Sequence, residues 1–213
     1  MRVLRYAGSG NIYTSCAYLV LGDWNRLEDV NTLIDPGADP GLLDFLDRAS
    51  TGVGKRRVEQ VVLTHRHYDH VLMLDEVVRR WSPEVLALDA SGGGVSHRLS
   101  DGDRIRAGDR ELTVFHVPGH TDDSICLYAE QERALFVGDS PVVYVAVDAS
   151  CEPGFVDAIE RLARLRVSVI YFGHGAPLTE QCEERIRESC RRALANQIGG
   201  RSERRTWSVA SGT

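Results

Sequence analysis

The chain has 213 residues, and its 25 basic and 31 acidic side chains leave a formal net charge of −6. This length fits one domain, and the acidic balance disfavours broad contact with a phosphate backbone, so we expect no nucleic-acid partner. No apolar run approaches the roughly 20 residues of a membrane span, so we expect no membrane partner either.

The five cysteines are scattered and include no Cys-x-x-Cys pair, which favours reduced thiols over a disulfide framework. The chain reaches Gly8-Ser9-Gly10 before any apolar segment develops, so the sequence predicts no signal peptide. Together these features predict a cytoplasmic protein.

Apolar runs bounded by Gly, Pro or Asp predict strands, and apolar positions at helical spacing predict helices between some of them. In chain order the predicted elements are strands 14–21 and 31–34, helix 40–49, strand 58–63, helix 71–80, strands 84–88, 112–117, 124–128 and 134–137, helix 153–165, strand 168–172 and helix 179–196. This order favours an α/β fold, a four-layer αβ/βα sandwich of two mixed sheets with helices on the outer faces.

The segment from Gly199 onward is polar and loses helical periodicity. The sequence therefore predicts one domain over residues 1–198 and a C-terminal polar tail over residues 199–213.

A dense cluster of potential metal ligands follows the predicted strand 58–63. It reads His65-x-His67-x-Asp69-His70, in a chain that has only seven histidines. Imidazole and carboxylate are ligands that suit zinc and other first-row divalent ions. In an extended turn the i, i+2 spacing points His65 and His67 to one side, so Asp69 and His70 are free to face a second metal.

Three further candidate ligands each follow the end of another predicted strand. They are His120 in Pro118-Gly119-His120, Asp139 in Gly138-Asp139-Ser140 and His174 in Gly173-His174-Gly175. Open α/β architectures place their sites at strand ends, and the flanking glycines suit a crowded centre. We therefore expect these side chains to join the His65–His70 cluster.

The ordered ligand set closely resembles that of the metallo-β-lactamase-fold hydrolase superfamily, and within it the glyoxalase II-like (hydroxyacylglutathione hydrolase-like) branch. The resemblance runs from about residue 4 to residue 174 and includes Leu33-Ile34-Asp35-Pro36-Gly37, which is similar to an early strand-and-turn motif of the family. The stretch 142–148 carries no cation, unlike the basic, aromatic stretch with which glyoxalase II enzymes hold glutathione, so the acyl carrier stays open.

The resemblance implies a site with two divalent metal ions. Zinc is favoured, and the ligands also suit iron or manganese. It implies one ion on His65, His67 and His120, a second on Asp69, His70 and His174, and Asp139 bridging the two.

The resemblance also implies hydrolysis of an ester, thioester or lactone of a small-molecule substrate by a metal-bridging hydroxide. Asp69 is the expected catalytic carboxylate, which orients the hydroxide. Tyr144, five residues beyond Asp139, is the hydroxyl that we nominate for binding the substrate oxyanion. The oligomeric state is left open between a monomer and a homodimer.

Two other functions remain open from the sequence. One is a persulfide dioxygenase-like enzyme with a single iron, and the other is a non-catalytic metal-binding module. Metal content and turnover of a thioester or lactone distinguish them from the hydrolase.

Overall fold

The structure is a computed structural model, and it describes residues 1–91, 94–143 and 154–207, with side chains described as far as residue 196. Its strands are β1 (Arg2–Tyr6), β2 (Ala17–Leu21), β3 (Thr32–Ile34), β4 (Gln60–Val62), β5 (Glu84–Ala87), β6 (His97–Arg98), β7 (Arg104–Ala107), β8 (Arg110–His116), β9 (Ile125–Ala129), β10 (Ala134–Gly138) and β11 (Val169–Phe172). Its helices are α1 (Gly41–Arg48), α2 (Tyr68–Val71), α3 (Leu74–Trp81), α4 (Phe155–Leu162) and α5 (Cys182–Trp207).

The strands form two mixed sheets. Six strands are ordered β1-β2-β3-β4-β5-β6, and five are ordered β11-β10-β9-β8-β7. Strands β3 to β6 run parallel to one another, and so do β10 and β11, whereas the remaining neighbours are antiparallel. Both sheets are therefore mixed, as the sequence predicted.

Three apolar clusters hold the layers together. The central cluster lies between the sheets and includes Val20 from β2 and Phe136 from β10. A second cluster packs α1 and α3 against the outer face of the first sheet, and a third packs α4 and α5 against the second sheet. The predicted four-layer αβ/βα sandwich is thus confirmed.

Strand β2 is apolar throughout because both of its faces are covered. Tyr18 and Val20 point into the central cluster, whereas Leu19 and Leu21 point to the helix-covered outer face. Successive strand side chains alternate between faces, so a strand that is covered on both sides has no polar face.

Several element boundaries differ from those predicted. The edge strands β1, β6 and β7 were not predicted, because strands of two to five residues with charged side chains carry little apolar signal. The predicted helix 71–80 is two helices that are separated at Leu72 and Met73. Helix α5 continues to Trp207, so the backbone of residues 199–207 is helical where the sequence indicated an aperiodic tail. The division into domain and tail stays a prediction.

None of the helices in the described part of the chain has the length and apolarity that a membrane crossing needs.

Candidate metal centre

The ends of four strands deliver ligand side chains to one place. His65 follows β4, His120 follows β8, Asp139 directly follows β10, and His174 follows β11. Parallel strands of each sheet end at the same edge, and the two sheets bring these edges together.

The short helix α2 supplies three more ligand side chains. His67 is its N-cap residue in an extended conformation (φ −63°, ψ 146°), and Asp69 and His70 lie within its single turn. The His70 amide donates to the carbonyl of His67 at 3.0 Å, which closes this turn. Asp69 and His70 are buried, and His67 is exposed.

Three histidines form one set, which we call the histidine group: His65, His67 and His120. One ring nitrogen from each lies within 4.8 Å of the others. His67 Nδ1 and His120 Nε2 are 2.9 Å apart, and the ring of His65 lies 4.8 Å, centroid to centroid, from each of the other two rings. This is a three-nitrogen arrangement of the kind that zinc sites use.

A carboxylate and two imidazoles form the other set, which we call the mixed group: Asp69, His70 and His174. Their ligand atoms also lie within 4.8 Å of one another. Asp69 Oδ2 is 3.1 Å from His174 Nε2 and 3.9 Å from His70 Nε2. The mixed group therefore offers one oxygen and two nitrogens.

The carboxylate of Asp139 lies between the two groups. Its Oδ1 is 3.3 Å from His70 Nε2, and its Oδ2 is 3.4 Å from His174 Nε2 and 3.7 Å from His120 Nε2. One side chain thus reaches both the histidine group and the mixed group, which is what a bridging ligand requires.

The electrostatics of the site follow from burial and close charge pairing. Burial, followed by the charge of His70, lowers the pKa of His65 to about 4. Burial also opposes protonation of His70, but the carboxylates of Asp35 and Asp139 outweigh it and raise the pKa of His70 to about 10. Burial disfavours the charged form of Asp139 as well, yet His70 and His174 outweigh it and lower its pKa to about 2. His65 is therefore neutral near pH 7, with a lone pair available to a metal.

A divalent metal fits this donor set. The Nε2 atoms of His65 and His70 are buried and have no hydrogen-bond partner among the described residues. A buried polar atom without a partner costs free energy, and a bound cation would satisfy both atoms. Imidazole nitrogens and carboxylate oxygens together are donors that zinc, iron and manganese accept.

A layer of supporting hydrogen bonds lies behind the mixed group. His70 Nδ1 is 2.8 Å from Asp35 Oδ2, and Asp35 also accepts from the Thr64 amide at 2.8 Å and the Thr64 hydroxyl at 2.6 Å. A carboxylate that accepts from Nδ1–H leaves the His70 Nε2 lone pair facing the site. Asp35 lies in the Leu33–Gly37 motif, and its role was not predicted from the sequence. An acidic residue directly after a buried strand was the available signal.

Tyr144, which the sequence nominated for the oxyanion, lies outside the described residues. A cavity of about 460 Å³ opens beside His120, Asp139 and His174. The remainder of its lining is mainly apolar and includes Val143. The site is therefore reachable by a small organic molecule.

Comparison with protein families agrees with this geometry. The sequence model of the "Metallo-beta-lactamase superfamily" matches residues 15–93 and 86–174, which contain all seven ligand candidates. The chain belongs to the metallo-beta-lactamase superfamily. The predicted family is thus confirmed, and curated relatives named hydroxyacylglutathione hydrolase support the glyoxalase II-like branch.

Two curated relatives show how far the similarity extends within the metallo-beta-lactamase superfamily. A hydroxyacylglutathione hydrolase from Chromohalobacter salexigens is 33% identical over 114 residues, which cover 53% of this chain and 43% of the relative. An atrochrysone carboxyl ACP thioesterase from Aspergillus fumigatus is 26% identical over 200 residues, which cover 84% of this chain and 47% of the relative. The chain thus spans about half the length of the curated relatives that it matches.

A solved structure supports the fold assignment. ETHE1 from Myxococcus xanthus superposes with a TM-score of 0.67 at 22% identity, covering 91% of this chain and 85% of its own. At this identity the likeness concerns the metallo-beta-lactamase fold.

Proposed function

We propose that this protein is a hydrolase that uses two divalent metal ions to cleave an ester, thioester or lactone. The observation that carries the proposal is the convergence of the histidine group and the mixed group on either side of Asp139. Each group would hold one ion, and Asp139 would contact both. Zinc is the first metal to test, followed by iron and manganese.

The bound ions would supply Lewis acidity and lower the pKa of water towards about 7. Asp69 is the residue that we assign to proton transfer, because its carboxylate is buried beside both imidazoles of the mixed group. It orients the attacking water and accepts its proton. The water oxygen forms the new bond to the carbonyl carbon, the carbon–sulfur or carbon–oxygen bond breaks, and Asp69 returns the proton to the departing atom.

The surroundings of the site support a small-molecule substrate with an apolar portion. The cavity beside Asp139 is lined in part by Pro141, Val143 and Phe172. A thioester is the first substrate class to test, because one relative is named an ACP thioesterase and another a hydrolase of hydroxyacylglutathione. The net charge of −6 is consistent with a function that involves neither nucleic acid nor an acidic membrane surface.

The test combines elemental analysis with turnover. The purified protein is loaded with zinc, iron or manganese and assayed against a panel of thioesters and lactones. We expect about two metal ions per chain and hydrolysis that falls at least roughly 100-fold in the Asp69→Ala and Asp139→Ala variants. Asp75→Ala is the matched control, because Asp75 is an exposed aspartate in the first turn of α3.

Three results would contradict the proposal. Full activity in folded Asp69→Ala and Asp139→Ala variants would show that the reaction occurs elsewhere. One iron per chain together with oxygen-dependent sulfite formation from a persulfide would identify a dioxygenase instead. Stoichiometric metal without turnover of any ester, thioester or lactone would identify a binding module.

A further inference from the structure

Tyr13, on the loop between β1 and β2, covers one of the ligand candidates. Its ring stacks on the imidazole of His174, with centroids 5.1 Å apart and planes inclined by 19°. The Tyr13 hydroxyl lies 3.5 Å from His174 Nε2, the nitrogen that faces the carboxylates of Asp69 and Asp139. The phenol hydroxyl is therefore placed on the side of His174 that faces the centre of the site.

The loop that carries Tyr13 is fixed to the segments that carry the mixed group. The Ser15 amide donates to the backbone carbonyl of Asp69 at 3.0 Å, and the Cys16 amide donates to that of Gly173 at 2.6 Å. Tyr13 precedes these anchored residues by only two and three positions. Its backbone is thus tied to both segments that carry the mixed group, which limits the reorganisation needed to use its side chain there.

Tyr13 is also accessible. The residue is 66% exposed, although its ring contacts His174. Its phenol interacts electrostatically with the carboxylates of Asp69 and Asp139. A substrate that enters the site beside these residues would meet a tyrosine hydroxyl that solvent already reaches.

The hydrogen-bonding capacity of this hydroxyl is the deciding feature. If His174 Nε2 binds a metal, its lone pair is no longer available to accept from Tyr13. The phenol then keeps an unused donor 3.5 Å from Nε2, the nitrogen that faces Asp69 and Asp139. A neutral donor there suits an oxygen atom that gains negative charge during the reaction.

We propose that Tyr13 is a catalytic residue, whose hydroxyl donates a hydrogen bond to the carbonyl oxygen of the substrate as negative charge develops on it. The inference rests on the proposed hydrolase function. It assigns to Tyr13, near the start of the sequence, the role for which the sequence nominated Tyr144. Removal of one such donor lowers the rate of comparable enzymes by 10²–10³-fold, and for an exposed donor we expect roughly 10- to 100-fold.

Tyr13→Phe tests this role, because it removes the hydroxyl and keeps the stacked ring. With a thioester or lactone that the wild type turns over, we expect kcat to fall roughly 10- to 100-fold with a smaller change in KM. Tyr128→Phe is the matched control, because it also removes one tyrosine hydroxyl. That hydroxyl donates to the Arg166 carbonyl at 2.7 Å, and Tyr128 lies three residues along β9 from Ile125, the residue that pairs with Thr64 beside the site.

A second readout does not depend on turnover. Inorganic phosphate is a tetrahedral oxyanion, and calorimetry measures its affinity for the zinc-loaded protein. We expect Tyr13→Phe to weaken phosphate binding roughly 10- to 100-fold, as the loss of one hydrogen bond to a charged group would do. Zinc affinity, measured by competition with a chromophoric chelator, should be unchanged.

The outcomes separate this inference from the proposed function. Loss of phosphate affinity in Tyr13→Phe, in a protein that hydrolyses none of the substrates, would show that Tyr13 donates to a bound oxyanion, but it would overturn the hydrolase and with it the catalytic role. Unchanged kcat and unchanged phosphate affinity in Tyr13→Phe would overturn the donor role while the hydrolase stands. A wild type that binds no phosphate, or a large loss of zinc affinity in Tyr13→Phe, would also overturn the donor role.

Discussion

His70 Nδ1 and Asp35 Oδ2 are 2.8 Å apart, and both side chains are almost completely buried. This contact orients the imidazole so that Nε2 faces Asp69 and Asp139. Asp35 is held in turn by two hydrogen bonds from Thr64. The direction in which His70 presents its ligand atom is therefore set by residues that do not themselves reach the site.

Asp35→Asn should weaken metal binding by roughly 10- to 100-fold, because a neutral amide holds the Nδ1–H tautomer of His70 less strongly. Competition with a chelator of known affinity measures the change, and elemental analysis shows whether one of two ions is lost. Asp75→Asn makes the same chemical change on the exposed surface and should bind metal like the wild type. Equal affinities in all three proteins would show that Asp35 has no part in holding the metal.

The ligand candidates could be picked out from the sequence because their signal is local. Three histidines and an aspartate within six residues, and single ligands after strand ends, are visible without knowledge of the fold. The layers were predictable for a similar reason, since strands such as β2 are apolar on both faces.

The supporting contacts were not predictable because they join distant segments. His70 and Asp35 are 35 residues apart, and Tyr13 and His174 are 161 residues apart. Whether an aspartate after a strand meets an imidazole or solvent depends on sheet order, and the parallel pairing of β3 with β4 is what brings Asp35 to Thr64. The break between α2 and α3 was missed because Leu72 and Met73 suit a helix by composition.

Gly173 packs against the ligands so closely that a side chain does not fit. A Cβ atom at this position would lie 2.1 Å from Asp139 Oδ1 and 2.7 Å from His70 Cε1. Gly173→Ala should therefore displace the Asp139 carboxylate and lower activity by roughly 100-fold, the order of loss that a misplacement of about 1 Å produces. The assay is kcat/KM of the metal-loaded variant together with its metal content.

Gly102→Ala is the control for the Gly173 variant. A Cβ atom added at Gly102 would have no heavy atom within 4 Å, so this change does not touch the site. Because φ is +87° there, the change costs backbone strain of about 1 kcal/mol. Retained metal and activity in Gly173→Ala, with Gly102→Ala also active, would show that Asp139 tolerates displacement.

Removal of metal should lower the melting temperature. A ligand that binds only the folded state stabilises it by about 2.7 kcal/mol at 100 times its Kd, which for a domain of this size corresponds to roughly 5–10 °C. Calorimetric scans with zinc and with excess chelator measure the difference. In Asp139→Ala the difference should shrink, because that variant lacks the carboxylate between the two groups. A chelator effect of the same size in both proteins would place the stabilising metal elsewhere.

The ion pair between Asp101 and Arg161 links the loop before β7 to α4 and should make stability depend on pH. Both guanidinium Nη atoms donate to the carboxylate at 2.7 Å, and Asp101 also accepts from the His116 amide at 2.8 Å. The Arg161 hydrogen bonds lower the pKa of Asp101, so the pair stabilises the fold above pH 4 and this contribution is lost as pH falls through the lowered value. Because both side chains are about 40% exposed, we expect about 0.5–1 kcal/mol.

Melting curves of the chelator-treated protein from pH 7 to pH 3 test this dependence. Asp101→Asn should melt about 1–4 °C below the wild type at pH 7, and the gap should narrow towards pH 3 as the wild-type carboxyl begins to take up a proton. Chelator treatment keeps the metal site out of the comparison, because loss of metal at low pH would otherwise lower the melting temperature of both proteins. Glu84→Gln makes the same change of carboxylate to amide at an exposed position on strand β5, away from any helix end, and should follow the wild type at every pH. A gap that persists unchanged at pH 3 would mean that the Asp101 side chain stabilises the fold without its charge.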